Sequence, residues 1–521
     1  MDKTLAETFQ HYNTLRSELS LWLEQSAQRD GPDRHSGGED EANYALSWFP
    51  HFLLTREEAV AERFRSLLSD LKKWVDGECV HGYEPEAEAH HGTEPFLLFL
   101  PRYLGLFPAE ETARAILQDA AHHIGNWADG VPDWYDEERN IFHSYQIGTR
   151  TVGGDRRFDY ELAEHWRFVH IALATLRITG EERYRDWVVR YGRRRAEQII
   201  DCDGPLPVLW DLLGRGLYVE DMHTGEQRRM SAAEHHVDGD TLAGIENMLA
   251  SGVVYALGDL FLLTGDEVFK RAARRLVEPL VGELLDPYAD PAAAAISYYR
   301  WTFADTSLDE ALVEVLVEMP PAPPMGEWVL LSPEQRVRRE AGVGKRRDML
   351  FWGQWTTRGT IELSNEPSTA ALTLAYQLSG EIDYARRALA QAASKLAVAR
   401  RILRGGREHA DMGGAICSVA AGHGRNWGCG AVTGCYGPLL LGTRELSGAV
   451  VPFLEVRSGG VPAEVLVLLR PPIGSGGEVL LFNGGETEVD MEWRLLGQVE
   501  WRRDTLATGR EYRCIIPGGS T

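Results

Sequence analysis

Apolar and polar positions along the chain recur with a helical period that is interrupted three times by one short pattern. The pattern is Thr-Gly or Ser-Gly followed by acidic residues, and its glycines are Gly180, Gly265 and Gly380. In each copy we expect an apolar helix to end at the glycine and an acidic residue to lie at the positive end of the next helix. An aromatic residue four positions after the glycine is expected to face inward. Each copy is therefore predicted to be a helical hairpin.

The two helices of each predicted hairpin differ in character. The first helices are apolar and rich in small residues, over 168–176, 249–263 and 369–378. The second helices are basic and amphipathic, over 185–195, 270–275 and 386–400. A buried inner helix followed by a half-exposed outer helix is typical of two concentric helical rings. The sequence predicts a mainly α fold, an (α/α)6-type toroid.

An open solenoid is the alternative to a ring. The three glycines are 85 and then 115 residues apart. These spacings are longer and less even than the repeat length of a solenoid, which is roughly 33 to 45 residues. Uneven spacing suits a ring whose long inner loops build a site, so the toroid is favoured.

In the rest of the chain, the spacing of apolar positions differs from one segment to the next. Further helices are predicted over 57–75, 93–104 and 109–127, whereas prolines interrupt 286–357, which is predicted to be an irregular insertion. After about residue 447 the pattern becomes strand-like, over 464–469, 478–482 and 488–495, with glycine-rich turns between. We therefore predict a toroidal catalytic domain over 1–446 and a small C-terminal β-sandwich domain over 447–521.

Composition and charge limit the classes of partner that the chain is expected to bind. At 44% apolar and 25% charged residues the chain can bury a large core without disulfides or metals, and its net charge of −24 opposes binding to nucleic acid or anionic lipid. The amino terminus has no signal-peptide pattern and no run of about 18 apolar residues occurs, so a cytoplasmic protein that does not contact membranes is expected. The six cysteines lack zinc-site spacing. We expect reduced thiols, no structural metal and no cofactor.

Histidines concentrate in one third of the chain. Eleven of the sixteen fall between His81 and His236, including three doublets. The doublet at 122–123 lies on a predicted helix, where a structural role is expected. His91 and His236 lie in loops at the mouths of inner helices, where a role in a site and a structural role are equally compatible with the pattern.

The densest collection of candidate side chains lies over 127–150. Aromatic residues beside carboxylates suit sugars, which offer C–H faces for stacking and hydroxyls for hydrogen bonds. We expect Trp134 to stack on a sugar, Asp136 to act on it, and three further side chains to hold it: His143, Tyr145 and Arg150.

Polar residues also stand at the amino ends of the predicted inner helices. They are Glu94, the 164–167 segment with His165, the 238–247 segment with Glu246, and the 362–366 segment ending in Glu366. Helix capping alone explains each one, but hairpins repeating one direction would gather these ends on one face of a ring. A glycine-rich segment over 405–442 adds Trp427 as a further candidate contact. This segment lacks the lysine of a phosphate-binding loop.

The hairpins, the β tail and the order of segments together resemble the six-hairpin glycosidase superfamily. Within it, the segments 360–384, 428–441 and 514–518 look similar to those of the β-L-arabinofuranosidase type, over about a third of the chain. That family holds a cysteine nucleophile on zinc through a Glu-x-Cys element and a Cys-Cys pair. Here Glu362 is followed by Leu and Ser, and Cys429 by Gly430. The resemblance implies the fold and a glycosidase activity, while the zinc-thiolate chemistry is not predicted.

The leading hypothesis is a glycoside hydrolase that cleaves a small saccharide with paired carboxylates. The catalytic candidates are Glu94, Asp136, Glu246 and Glu366. The substrate-binding candidates are His91, Trp134, His143, Tyr145, Arg150, His165, His236 and Trp427.

The sequence leaves three alternatives open. A polysaccharide lyase would use tyrosine or histidine as base and arginine to neutralise a uronate, with Tyr145, His143, His236 and Arg150 as candidates. A sugar epimerase would exchange a proton between paired histidines, and a non-catalytic carbohydrate-binding toroid would bind sugar without turnover. Whether the chain forms a homo-oligomer is also left open.

Overall fold

The fold is mainly helical with a small set of strands. The computed structural model describes residues 2–27, 45, 48–89, 93, 95–124, 126–153, 159–231, 233, 236, 238–285, 290–317, 326–329, 360–363, 367–402, 443–446, 449–452, 454–473, 477–495 and 498–516.

The helices follow the chain from near its start to residue 402. The α-helices are α1 (Lys3–Ala27), α2 (Trp48–Thr55), α3 (Glu58–Glu78), α4 (Leu100–Leu106), α5 (Glu111–Ala121), α6 (Trp166–Thr179), α7 (Glu182–Asp201), α8 (Gly225–Met230), α9 (Ala243–Ala250), α10 (Val253–Thr264), α11 (Glu267–Val277), α12 (Asp290–Thr302), α13 (Asp309–Leu316), α14 (Thr369–Ser379) and α15 (Ile382–Ile402). A π-helical turn, Pro95–Phe99, precedes α4, and 3-10 turns span Ala163–His165, Val219–Asp221 and Glu278–Glu283.

The three predicted hairpins are confirmed. Gly180, Gly265 and Gly380 end α6, α10 and α14 in the left-handed conformation, with φ of 71°, 70° and 77°. In each case the glycine N–H bonds back to a carbonyl of the preceding helix, and the next helix begins two residues later. Because glycine adopts positive φ without steric cost, a local rule fixes these three reversals.

The helices pack in chain order. Each hairpin pairs its own helices (α6 with α7, α10 with α11, α14 with α15). The first helices of the hairpins also form a series together with α12: α6 contacts α10, α10 contacts α12, and α12 contacts α14. At the far end of this series, α15 lies along α1. The first and last described helices of this part of the chain are therefore neighbours.

The segment 286–357, predicted to be irregular, contains two helices in its first part. Both α12 and α13 lie within it, and Ala293, Ile296, Tyr299 and Leu312 are fully buried. The expectation was wrong here because prolines on either side were taken to disrupt the whole segment. Between them an alanine-rich stretch packs against α10 and α14.

The strands form several small antiparallel sheets. The strands are β1 (Tyr135–Asp136), β2 (Ile141–Phe142), β3 (Tyr160–Leu162), β4 (Leu209–Asp211), β5 (Gly216–Leu217), β6 (Gly326–Val329), β7 (Thr360–Leu363), β8 (Thr443–Leu446), β9 (Ala449–Pro452), β10 (Leu454–Val456), β11 (Val465–Arg470), β12 (Gly477–Asn483), β13 (Val489–Leu495), β14 (Arg502–Leu506) and β15 (Glu511–Ile516). The three strands predicted near the carboxyl end correspond to β11, β12 and β13. They belong to two sheets, ordered β11-β12-β15 and β10-β13-β14.

The carboxyl-terminal strands pack directly on the helices. The Phe9 ring on α1 meets the Phe482 ring on β12 edge-on at 6.1 Å between centroids. Arg16 donates to the Val461 carbonyl at 2.9 Å, and Arg470 donates to the Gln377 carbonyl at 3.2 Å. These contacts fix the strands against α1 and α14.

No single helix in the described part of the chain is long and apolar enough to cross a membrane. Helices α9 and α10 are long and apolar enough only when they are counted as one segment, and the chain bends by 65° between them.

Candidate functional site

Two buried polar clusters lie near the amino ends of α6 and α9. The first depends on an extended segment, 144–152, that runs beside residues 84–89. The Ala89 N–H donates to the Tyr145 carbonyl at 3.2 Å, and the Ile147 N–H donates to the Ala87 carbonyl at 3.1 Å. Gly148 permits this close approach, because a Cβ there would lie 2.4 Å from the Pro85 carbonyl oxygen. Tyr145 is thereby brought to Glu88.

The first cluster, called the Tyr145 cluster below, comprises Glu88, Thr93, Tyr145, Glu164 and Arg167. The Tyr145 hydroxyl donates to the Glu88 carboxylate. Arg167, in the first turn of α6, donates to the Thr93 hydroxyl at 3.4 Å, and that hydroxyl donates to the Ala89 carbonyl at 2.9 Å. Glu164 lies one turn before Arg167. Only 5% of the Glu164 surface and 1% of the Arg167 surface is exposed.

Burial sets the protonation of this cluster. Burial raises the pKa of Glu164, the positive charge of Arg167 opposes the rise, and the nearby Glu88 carboxylate adds to it. Burial also raises the pKa of Tyr145 well above its usual range, with Glu88 and Glu164 acting in the same direction. Glu164 therefore retains its proton more readily than an exposed glutamate does, next to a second carboxylate.

The second cluster, called the His236 cluster below, comprises His236, Asp240 and Glu246. The His236 Nδ1 atom lies 3.0 Å from Asp240 Oδ2 and 3.4 Å from Glu246 Oε2. The three side chains are almost completely buried. An imidazole and two carboxylates thus converge within the loop that precedes α9 and its first turn.

The elements that carry the two clusters pack together. The Ala163–His165 turn, which holds Glu164, contacts α9, which holds Glu246. One turn further on, His170 of α6 hydrogen-bonds the Gly252 carbonyl between α9 and α10 at 2.9 Å. Helices were predicted to begin near Glu94, His165, Glu246 and Glu366, and the described elements start at Pro95, Trp166, Ala243 and Thr369.

Trp134 is not the sugar-stacking platform that the sequence predicted. Its side chain is completely buried, its ring meets those of Tyr83, His123 and Phe168, and its Nε1 donates to the Gly148 carbonyl at 3.2 Å. A ring enclosed on every side by protein has no face to offer a ligand. The loop that carries it folds inward as part of the core.

Asp136 and its neighbours stabilise a turn. The Asp136 carboxylate accepts from the Glu138 and Arg139 N–H groups, at 3.0 and 2.9 Å, in the β1–β2 hairpin. His143 is half-buried and its N–H donates to the Trp134 carbonyl, while Arg150 is exposed and its N–H donates to the Pro85 carbonyl. Among the 134–150 candidates, Tyr145 hydrogen-bonds the half-buried Glu88 carboxylate.

His165 has a structural environment. It is fully buried against the Phe142 ring, its Nδ1 accepts from the Leu162 N–H at 3.0 Å, and its Nε2 donates to the Ser144 carbonyl at 3.1 Å. Burial lowers the pKa of His165, so the ring is neutral. The prediction that it binds substrate is wrong, because both nitrogens already bind the backbone.

Four predicted residues lie outside the described residues: Glu94, Glu366, His91 and Trp427. Glu246 and His236 lie together in the His236 cluster, as a site would require. The carboxylates that sequence reasoning did not select are Glu88, Glu164 and Asp240. A signal existed for Glu164 and Arg167, since they are charged residues at the entry to an otherwise apolar helix.

An arginine-lined groove lies on the outer face of α7. It has a volume of about 730 Å³ and includes Arg185, Arg190, Arg193 and Arg194 in its lining. Each of these arginines is paired with an acidic residue, in the order Glu182, Glu137, Asp266 and Glu161. The groove therefore offers an anion no uncompensated charge.

Comparison with protein-family models, with curated proteins and with solved structures finds no match for this chain.

Proposed function

We propose that this chain is a glycoside hydrolase acting on a small saccharide, with Glu164 and Glu88 as its catalytic carboxylates. The observation that carries the proposal is the pairing of a buried glutamate, whose pKa is raised, with a second carboxylate close enough to contribute to that rise. Glycosidases require this combination, because one carboxyl must hold a proton at neutral pH while the other is ionised.

The residues have complementary roles. Glu164 donates its proton to the glycosidic oxygen as the bond to the anomeric carbon breaks, and Glu88 stabilises the positive charge that develops at that carbon. A water molecule then forms the new bond to that carbon and gives up a proton to the Glu88 carboxylate. Tyr145 orients Glu88 by donating a hydrogen bond from its hydroxyl to the carboxylate. Arg167 and Thr93 fix the position of the first turn of α6 and therefore of Glu164.

The electrostatics favour hydrolysis over elimination. A lyase of the type considered above needs a tyrosine that loses its proton readily, yet burial and two neighbouring carboxylates raise the pKa of Tyr145. Tyr145 therefore serves as a hydrogen-bond donor. A carboxylic acid beside a carboxylate is instead suited to proton donation to a leaving group.

The architecture that would hold this site is a closed ring of helical hairpins of the six-hairpin type. Supporting it, α6, α10, α12 and α14 contact one another in chain order, and α15 returns to α1. In such a ring the amino ends of α6 and α9 would open on one face, which agrees with the contact between the Ala163–His165 turn and α9.

The test is a substrate panel of nitrophenyl glycosides, unmodified disaccharides and uronate oligomers, assayed for new reducing ends and for the ultraviolet absorbance of an unsaturated uronate. We expect reducing ends without absorbance. Glu164→Gln should lower kcat by about 10²- to 10⁴-fold on a disaccharide. The loss should be smaller on a nitrophenyl glycoside, whose leaving group needs less protonation.

The matched control is Glu486→Gln, an exposed glutamate in the β12–β13 turn, which should leave kcat unchanged. Full activity of both Glu164→Gln and Glu88→Gln on the disaccharide would remove these residues from the mechanism. A rise in ultraviolet absorbance with uronates would replace hydrolysis with elimination.

A further inference from the structure

We propose that His236, Asp240 and Glu246 form a binding site for one divalent first-row transition-metal ion such as Zn²⁺. The sequence predicted no metal, because none of its cysteine or histidine spacings matches a known zinc motif. The site is instead assembled from a loop and a helix start that meet in the fold. The inference is independent of the glycosidase proposal, since metal binding is measured without substrate.

The donor atoms have the spacing of metal ligands. The three atoms, one imidazole nitrogen and two carboxylate oxygens, all lie within 4.8 Å of one another. Metal–ligand bonds of about 2.1 Å place neighbouring ligands about 3.0 Å apart at right angles and about 3.4 Å apart at the tetrahedral angle. The observed separations from His236 Nδ1 are 3.0 Å to Asp240 and 3.4 Å to Glu246.

Both carboxylate oxygens approach the same nitrogen atom. A neutral imidazole nitrogen carries at most one hydrogen, which points toward one acceptor. Convergence of two oxygens on that nitrogen is therefore better matched to a central cation that all three atoms face. The purely structural alternative, in which His236 donates a single hydrogen bond to Asp240, is an outcome of the test below.

The surrounding contacts hold the ligands in place. The second oxygen of Asp240 accepts from the Leu242 N–H at 3.0 Å, which orients the first oxygen toward His236. Asn247, next to Glu246 on α9, donates to the Ser231 carbonyl at 2.6 Å and ties the 231–240 loop to the helix. Supporting hydrogen bonds of this kind pre-orient metal ligands.

The donor set selects the class of metal. Imidazole favours zinc and its first-row neighbours, whereas Mg²⁺ and Ca²⁺ prefer sites made of oxygen ligands alone. Three protein ligands leave further coordination positions for water or for a substrate oxygen. The packing of α9 against the Glu164 turn places the site beside the Tyr145 cluster.

The experiment uses the full chain, treated with a chelator, desalted and titrated with Zn²⁺ by calorimetry, with the bound metal counted by mass spectrometry. We expect about one ion per chain and an increase in Tm on binding. Asp240→Asn and Glu246→Gln keep the size of each side chain and should each weaken Zn²⁺ binding by at least about 100-fold. Asp238→Asn, an exposed neighbour that pairs with Arg228, is the matched control and should bind normally.

Three further measurements make the result decisive. Far-ultraviolet circular dichroism verifies that each variant is folded. Binding of Co²⁺ separates a nitrogen and oxygen site from a thiolate site, because thiolate ligands produce an intense near-ultraviolet charge-transfer band. We expect that band to be absent, and Cys429→Ser to bind Zn²⁺ like the wild type.

Unchanged Zn²⁺ affinity in both carboxylate variants, or no stoichiometric binding in the wild type, would overturn the proposal and leave a hydrogen-bonded structural triad. Loss of binding in Cys429→Ser, or a preference for Mg²⁺ or Ca²⁺ over Zn²⁺, would also overturn it. None of these outcomes bears on whether Glu164 catalyses hydrolysis, which the substrate panel tests separately.

Discussion

Replacing Trp134 with alanine separates a packing role from a ligand-stacking role. The side chain is completely buried among three aromatic rings, and its indole N–H satisfies the Gly148 carbonyl. Removing a buried tryptophan costs about 3–5 kcal/mol, and a buried acceptor that loses its donor costs about 1–3 kcal/mol. The free energy of unfolding should therefore fall by at least about 4 kcal/mol.

The assay is differential scanning calorimetry. An unfolding entropy of about 2.1 cal/mol/K per residue gives about 1 °C of Tm for each kcal/mol in a chain of 521 residues. Trp134→Ala should thus unfold at least about 4 °C below the wild type. Trp134→Phe, which keeps an aromatic ring but loses the indole donor, should fall between the two.

The matched control is Trp127→Ala, because Trp127 lies in the same region but is only half-buried, beside Tyr184 and Arg183. Its Tm should fall by less than that of Trp134→Ala. An unchanged Tm in Trp134→Ala, together with weaker binding of a saccharide, would refute the packing argument. That result would restore the stacking role predicted from the sequence.

Three further predictions concern stability. Burial lowers the pKa of His170 from 6.5 to about 4, so the folded state resists protonation of this ring. His170 should therefore contribute a loss of stability of about 1.4 kcal/mol per pH unit as pH drops from about 6.5 to 4, and His170→Asn should reduce the pH dependence by that amount in urea titrations. Glu161→Gln should lower the free energy of unfolding by about 3–5 kcal/mol in urea titrations, because it removes a buried carboxylate that pairs with Arg195. A loss below about 1 kcal/mol would contradict this prediction. Gly148→Ala should lower Tm because its Cβ would meet the Pro85 backbone. Gly282→Ala is the control and should leave Tm unchanged, because open space surrounds Gly282. Equal Tm values for the two variants would count against the close pairing of 84–89 with 144–152.

Features that depend on neighbouring residues were predictable from the sequence. The hairpin reversals at Gly180, Gly265 and Gly380 follow from the glycine conformation and the acidic helix starts, both of which act within a few residues. The strand periodicity after residue 447 likewise predicted β11, β12 and β13. The prediction of irregular structure over 286–357 was wrong because prolines mark only the ends of helices and strands. They do not show which structure an alanine-rich stretch between them adopts when it packs against other helices.

The candidate site was decided by contacts between residues far apart in the chain. Pairing of 84–89 with 144–152 brings Tyr145 to Glu88, and the entry to α6 adds Glu164. The sequence identified these polar segments without showing which side chains meet. It could not show that Trp134 is enclosed, since an aromatic residue in a polar loop has the same local pattern whether the loop lies on the surface or folds inward. Burial and the pKa changes that follow from it depend on the whole packed environment, so only the tertiary structure determines them.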